Sequence, residues 1–101
     1  MSYKKESDFK RACIRKIKDL RAKGVLERFW YYCPMDVCRS GIPDFIFCIN
    51  GRFRSIELKM PKGKISPIQR FTYDEILKAG GRSFVCSSMD EFISAIEWFS
   101  A

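Results

Sequence analysis

Histidine is missing from all 101 residues of this chain. Its absence excludes Ser-His and Cys-His nucleophiles, histidine-based hydrolysis and imidazole-ligated zinc. The cysteines, at positions 13, 33, 38, 48 and 86, are odd in number and include no C-x-x-C pair, so neither a disulfide framework nor a zinc ribbon is indicated. Cys13, Cys48 and Cys86 sit within apolar patterns and read as small core residues, while Cys33 and Cys38 flank a loop; reduced thiols are expected. No apolar run approaches the length of a transmembrane helix and no signal peptide opens the chain, which points to a soluble cytoplasmic or other intracellular protein with no membrane role. Linkers, internal repeats and low-complexity stretches are also lacking, so a single domain over residues 1–101 is expected.

What is abundant is apolar and basic. An apolar fraction of 47% and an aromatic fraction of 15% argue against disorder. Nineteen Lys and Arg against twelve Asp and Glu give a net charge of +7. On a small domain such a charge suits an anionic partner, nucleic acid first and a membrane surface second.

The stretch from Gly41 to Lys59 organises the rest. Two apolar strands flank Asn50-Gly51, the dipeptide that favours a two-residue type I′ hairpin turn. With that turn closed, Ile49 faces Arg52, Phe45 faces Ile56 and Asp44 faces Glu57. Alternation places Phe45, Phe47, Ile49, Ile56 and Leu58 on one face, the core face, and Asp44, Glu57 and Lys59 on the other. Two carboxylates directly opposite across a ladder, with Cβ atoms about 4.5–5.5 Å apart, repel each other. A divalent cation relieves that repulsion, and Lys59 adds a positive charge beside it. Such a cluster activates water and stabilises charge on a phosphoryl group. E-x-K alone is an ordinary polar sheet face; the Pro-Asp in register across the Asn-Gly hairpin favours the functional interpretation.

Residues 3–23 have a helical period, with Phe9, Cys13, Ile17 and Leu20 forming one apolar stripe. Glu6 lies on that stripe, either as a favourable first-turn carboxylate or turned toward the sheet and its metal. Lys4, Arg11, Arg15 and Lys18 cluster on the opposite face, which reads as a solvated face ahead of a phosphate-tracking surface. Gly24 closes the helix at C′. Residues 25–33 carry Phe29-Trp30-Tyr31-Tyr32, a run without alternation that suggests a strand covered on both faces. A turn-rich loop, residues 34–40, brings Arg39 near the proposed site. Met60-Pro61-Lys62-Gly63-Lys64 is a basic loop leaving the second hairpin strand. Ser66-Pro67-Ile68-Gln69 starts a helix with a capping box and Pro at N1, running to about Ala79 before Gly80-Gly81. Residues 82–87 read as a strand, and Ser88-Met89-Asp90-Glu91 opens a last helix through a second capping box. The expected order is α-β-β-β-α-β-α.

Gly41-Ile42-Pro43-Asp44, Glu57-Leu58-Lys59, Ser66-Pro67-Ile68-Gln69 and Ala79-Gly80-Gly81, in this order and spacing, resemble the VRR-NUC family of PD-(D/E)xK nucleases. The resemblance spans almost the whole chain, including the helix-one Glu6, and is that of a standalone member. It implies an α/β fold with a restriction-endonuclease-like core, a small mixed sheet flanked by helices. It also implies that Asp44, Glu57 and the Leu58 backbone carbonyl bind Mg²⁺ or Mn²⁺, that Lys59 orients or activates the attacking water, and that Glu6 and Gln69 support the reaction. For Gln69 the capping box is an alternative role. Residues 25–40 match no family motif.

The function expected is metal-dependent hydrolysis of DNA phosphodiesters, with no small-molecule cofactor. Arg39, Lys62 and Lys64 are candidate phosphate contacts. The competing class is a basic nucleic-acid-binding module without catalysis; an adaptor with an acidic patch is weaker. One small domain carries one site and a symmetric junction presents two equivalent strands; the resemblance, being to a standalone member, implies a homodimer acting on branched DNA such as four-way junctions, with flaps or linear DNA as alternative substrates. Candidate dimer surface lies in residues 29–32 and in Trp98-Phe99.

Overall fold

A computed structural model of the chain describes residues 3–35 and 38–101. The elements follow the expected order: α1 (Glu6–Ala22), β1 (Phe29–Tyr32), β2 (Phe45–Ile49), β3 (Arg52–Leu58), α2 (Pro67–Lys78), β4 (Arg82–Cys86) and α3 (Met89–Ser100). The four strands lie in one sheet in sequence order. β1, β2 and β3 form an antiparallel meander, and β4 pairs parallel to β3 after the α2 crossover. Helices flank this mixed sheet. Of the turn-rich loop, Asp36 and Val37 lie outside the described residues.

The hairpin is built as the turn chemistry dictates. Asn50 and Gly51 both have positive φ, +54° and +76°, the pair of values a type I′ turn requires. The register is Ile49 with Arg52 through Phe45 with Ile56. Phe45, Phe47, Ile49, Ile56 and Leu58 accordingly face one way and are buried. Phe9, Cys13 and Ile17 of α1 and Phe92, Ala95, Ile96 and Phe99 of α3 pack on them as one core. Phe45 and Phe47 stack on each other and tilt against Phe92 and Phe99 respectively. Arg54 is the exception on that face, 7% exposed with its guanidinium over the Phe99 ring at 5.6 Å. Burial, with Arg52 and Arg82 nearby, lowers its pKa.

The helix ends carry the anticipated caps. Gly24, at φ +71°, donates to Arg21 O while Val25 N–H reaches Leu20 O, the paired bonds of a Schellman motif. Ser66 Oγ accepts from Gln69 N–H at 3.3 Å and Gln69 Oε1 from Ser66 N–H at 2.8 Å, a complete capping box. At α3 the box is displaced by one residue: Ser88 Oγ accepts from Glu91 N–H, but the Glu91 carboxylate takes the Ser87 N–H instead of its own cap's.

Two expectations need correction. Cys48 is exposed, not a core residue, because alternation turns it to the face opposite Phe47 and Ile49. β1 is not covered on both faces either. Phe29 and Tyr31 turn inward, whereas Trp30 and Tyr32 remain 54% and 53% exposed. The cause is the position of α2, which crosses the second face over β4 and stops short of β1. Thr72 is the one buried residue on α2, so this layer covers its face thinly.

Gly41 and Gly24 make a testable contrast. A Cβ at Gly41, φ +81°, would lie 2.8 Å from the Ile68 carbonyl oxygen, while one at Gly24 meets nothing within 4 Å. Gly24→Ala should cost about 1–2 kcal/mol, the left-handed backbone penalty alone. Gly41→Ala should cost clearly more in urea unfolding, since α2 must also shift.

Candidate active site

The site forms where β2 and β3 diverge at the end of the hairpin remote from its turn. Gly41 lets the chain pass against the first turn of α2, and Pro43 is buried as the chain enters β2. Asp44 follows at the mouth of the ladder. Its Oδ2 accepts a 2.8 Å hydrogen bond from the Leu58 backbone N–H, fixing the carboxylate against β3. Glu57 projects into a narrow crevice between the sheet and α2, walled by Gly41, Pro43, Gln69 and Tyr73. Glu6 reaches the same point from the first turn of α1. One oxygen from each of Glu6, Asp44 and Glu57 lies within 4.8 Å of the other two.

Three carboxylates this close cannot all ionise cheaply without a counter-charge. The Glu57 carboxyl is pushed up to about 9, first by burial, then by its hydrogen bond to Asp44 and the charges of Asp44 and Glu6; Lys59 pulls the other way. Burial and the neighbouring carboxylates therefore favour the protonated form of Glu57 while the site holds no cation. A site made of carboxylates, without imidazole or thiolate, has the chemistry for a hard divalent cation.

Lys59 lies one residue beyond β3, its backbone N–H bound to Cys86 O at 3.0 Å, which continues the ladder toward β4. The other anticipated residues are more peripheral. Gln69 borders the crevice, but its side-chain oxygen serves the α2 cap. Arg39 bonds Thr72 Oγ1 at 3.1 Å and Glu75 Oε1 at 2.8 Å, tying its loop to α2. Lys62 and Lys64 are exposed in the turn after β3.

One residue was not anticipated. Lys10 Nζ lies 3.5 Å from Asp44 Oδ1 and is the nearest positive charge recorded against that carboxylate. The signal was present, since Lys10 is four residues from Glu6 and hence on the same side of α1. A lysine one position after the apolar Phe9 reads as surface unless Glu6 is already known to face the sheet.

A mixed sheet whose hairpin mouth gathers three carboxylates beside a lysine has the form of a nuclease-type site. The profile of the VRR-NUC domain family matches residues 1–90, and the chain belongs to that family. A solved structure described as a VRR_NUC domain superposes with a TM-score of 0.70 at 21% identity, covering 91% of this chain and 94% of that one; it supports the fold. No match is found among curated proteins.

The raised Glu57 pKa fixes the sign of a pH effect. The folded carboxyl titrates near 9 against 4.5 as its ordinary value. The native state therefore binds the extra proton between these values, and stability falls as pH rises through that window. Glu57→Gln removes the penalty. The variant, free of metal, should match the parent near pH 4 and exceed it in thermal midpoint by a margin that grows toward pH 9.

Proposed function

We propose that this protein is a metal-dependent DNA endonuclease, with Mg²⁺ or Mn²⁺ held by Asp44, Glu57 and the Leu58 backbone carbonyl, and Glu6 in support. The observation that carries this function is the convergence of the Glu6, Asp44 and Glu57 oxygens within 4.8 Å. A binding-only module would have no use for a partly buried carboxyl in a crevice with two more beside it.

When bound, a divalent cation neutralises charge on the phosphoryl group and makes a coordinated water more acidic. The chain's own residues do the rest. A cation would need Glu57 ionised, so metal affinity should rise with pH. Lys59 orients the attacking water and offsets the charge that develops on the phosphate oxygens. Lys10 holds Asp44 in place from the α1 side. Gln69 fixes the start of α2 against the crevice. The net charge of +7 draws the polyanion in, and Arg39, Lys62 and Lys64 contact its phosphates.

The preferred substrate is branched DNA such as a four-way junction, cut by a homodimer. One site cuts one strand at a time, and a two-fold junction presents two equivalent strands to a two-fold dimer. Of the candidate dimer residues, Phe29, Tyr31 and Phe99 belong to the core cluster or pack against it. Trp30, Tyr32 and Trp98 remain more than half exposed; of these, Trp98 stands edge-on to Phe84, on the same flank as the partly exposed Val85 of edge strand β4. We place the dimer contact there.

Asp44→Ala and Glu57→Ala should each abolish cleavage while keeping the fold. Lys59→Ala should lower kcat by about 10²–10³ with metal binding retained. Lys62→Ala or Lys64→Ala should weaken DNA binding and flatten its salt dependence by about one unit of slope. Cleavage by both carboxylate variants at saturating Mn²⁺ would place the active site elsewhere.

Light scattering at micromolar protein, alone and with junction DNA, should give the mass of a dimer, with junctions cut faster than linear duplex. A monomer that cuts junctions, flaps and duplex equally would refute the dimer and junction assignment alone.

A further inference from the structure

Among the described residues no helix covers the second face of the sheet over β1 and β2, where loop residues Pro34, Arg39 and Ile42 line an open groove with Tyr32 and Ile46. Trp30 and Tyr32 project there, more than half exposed, with rings 7° from parallel and centroids 6.1 Å apart. Across the ladder the same face continues through Ile46 and Cys48 to Phe53, itself 45% exposed. Neither β1 nor β2 contributes an acidic side chain; exposed Arg28 stands at the hairpin-turn end next to Glu27, while Arg52, paired with Ile49, belongs to the opposite face.

This row leads to the site. Tyr32 pairs with Ile46, two residues from Asp44, so Tyr32 and Asp44 are diagonal cross-strand neighbours, about 7–8 Å apart. Cys33, next in the chain, feels the charges of both Lys10 and Asp44. The aromatic pair thus begins one step from a candidate metal carboxylate and runs away from it toward Arg28.

We propose that Trp30 and Tyr32 form a stacking platform for unpaired nucleobases of the strand being cut, adjacent to the scissile phosphate. Outward residues on a strand repeat at about 6.6–6.8 Å, twice the roughly 3.4 Å per nucleotide of a stacked duplex strand. The rings therefore match bases that are splayed apart and mismatch consecutive stacked pairs. Flat apolar rings on a protein of net charge +7 complement a polyanion that carries π-faces. A second copy of the chain is the poorer occupant, because it brings another +7 to a protein that already carries +7. The inference rests on the nuclease proposal for its choice of anion, and it makes single-stranded character beside the cut a determinant of the substrate.

The test is binding of a fifteen-nucleotide oligo-dT, and of the same oligonucleotide with its central bases removed, in EDTA so that nothing is cleaved. In Trp98→Phe, which leaves Trp30 as the fluorophore, oligo-dT should quench the emission and the abasic strand should not. Trp30→Ala/Tyr32→Ala should lose at least about fivefold in oligo-dT affinity per ring, while binding the abasic strand as tightly as the parent. Trp30→Phe/Tyr32→Phe keeps both rings and should keep the affinity, which separates stacking from a folding defect. Equal affinity of the parent for the two strands would overturn the proposal. So would an unchanged oligo-dT affinity in the double alanine variant, and if that variant also turned a dimer into a monomer by sedimentation, the face would be a contact between copies. Cleavage of DNA by the parent in Mn²⁺ is scored separately. Activity without base-dependent binding defeats the platform alone, and base-dependent binding without activity defeats the nuclease proposal alone.

Discussion

Everything at the site depends on the register of one hairpin. The type I′ turn at Asn50-Gly51 sets Phe45 opposite Ile56, and that pairing delivers Asp44 to the Leu58 N–H and within reach of Glu57. A slip of one residue would exchange the faces of a strand. It would turn Phe45, Phe47 and Ile49 toward α2 and water, and Asp44 away from Glu57. The interactions that hold the core in place and those that assemble the carboxylates are therefore the same ladder. Neither can be altered without the other.

The two faces of the ladder carry opposite energetic characters. On the α1–α3 side, fully buried Phe9, Phe45, Phe47 and Phe92 supply apolar area, each removing on the order of 2 kcal/mol of exposure cost. On the other side, Glu57 is desolvated beneath α2 and set against two more carboxylates. Paired Ser55 and Ser83 hydroxyls satisfy one another under the same helix. The aromatic core tolerates a charge arrangement that would be prohibitive in a less well packed domain, and Lys10 and Lys59 partly compensate it.

Most of this architecture was legible in the residues, for identifiable reasons. Asn-Gly between two apolar runs fixes a register by itself, and Ser-Pro-Ile-Gln fixes a helix start, because each is a local motif whose geometry leaves few alternatives. The α1 stripe gave the helix and placed Glu6 on its inner side. The omissions came from packing between elements, which no local pattern reports. Cys48 looked apolar enough for the core, yet alternation from Phe47 had already assigned it outward. The four aromatics of β1 looked doubly covered, but how far α2 reaches across the sheet is a property of the crossover and is not written in β1. Lys10 became visible as a partner of Asp44 only once α1 was docked on the sheet.

The thinness of α2 has a consequence for motion. A helix that buries Thr72 alone is retained largely by its cap, by the Arg39 bonds to Thr72 and Glu75, and by the close passage of Gly41 beneath Ile68. Local opening free energies follow buried apolar contact, so α2 is the cheapest element to lift while α1 and α3 stay seated on their aromatic core. Lifting it would expose Glu57 to water and remove the burial that protonates it. Of the three helices, the one easiest to lift is thus the one whose movement favours ionisation of Glu57.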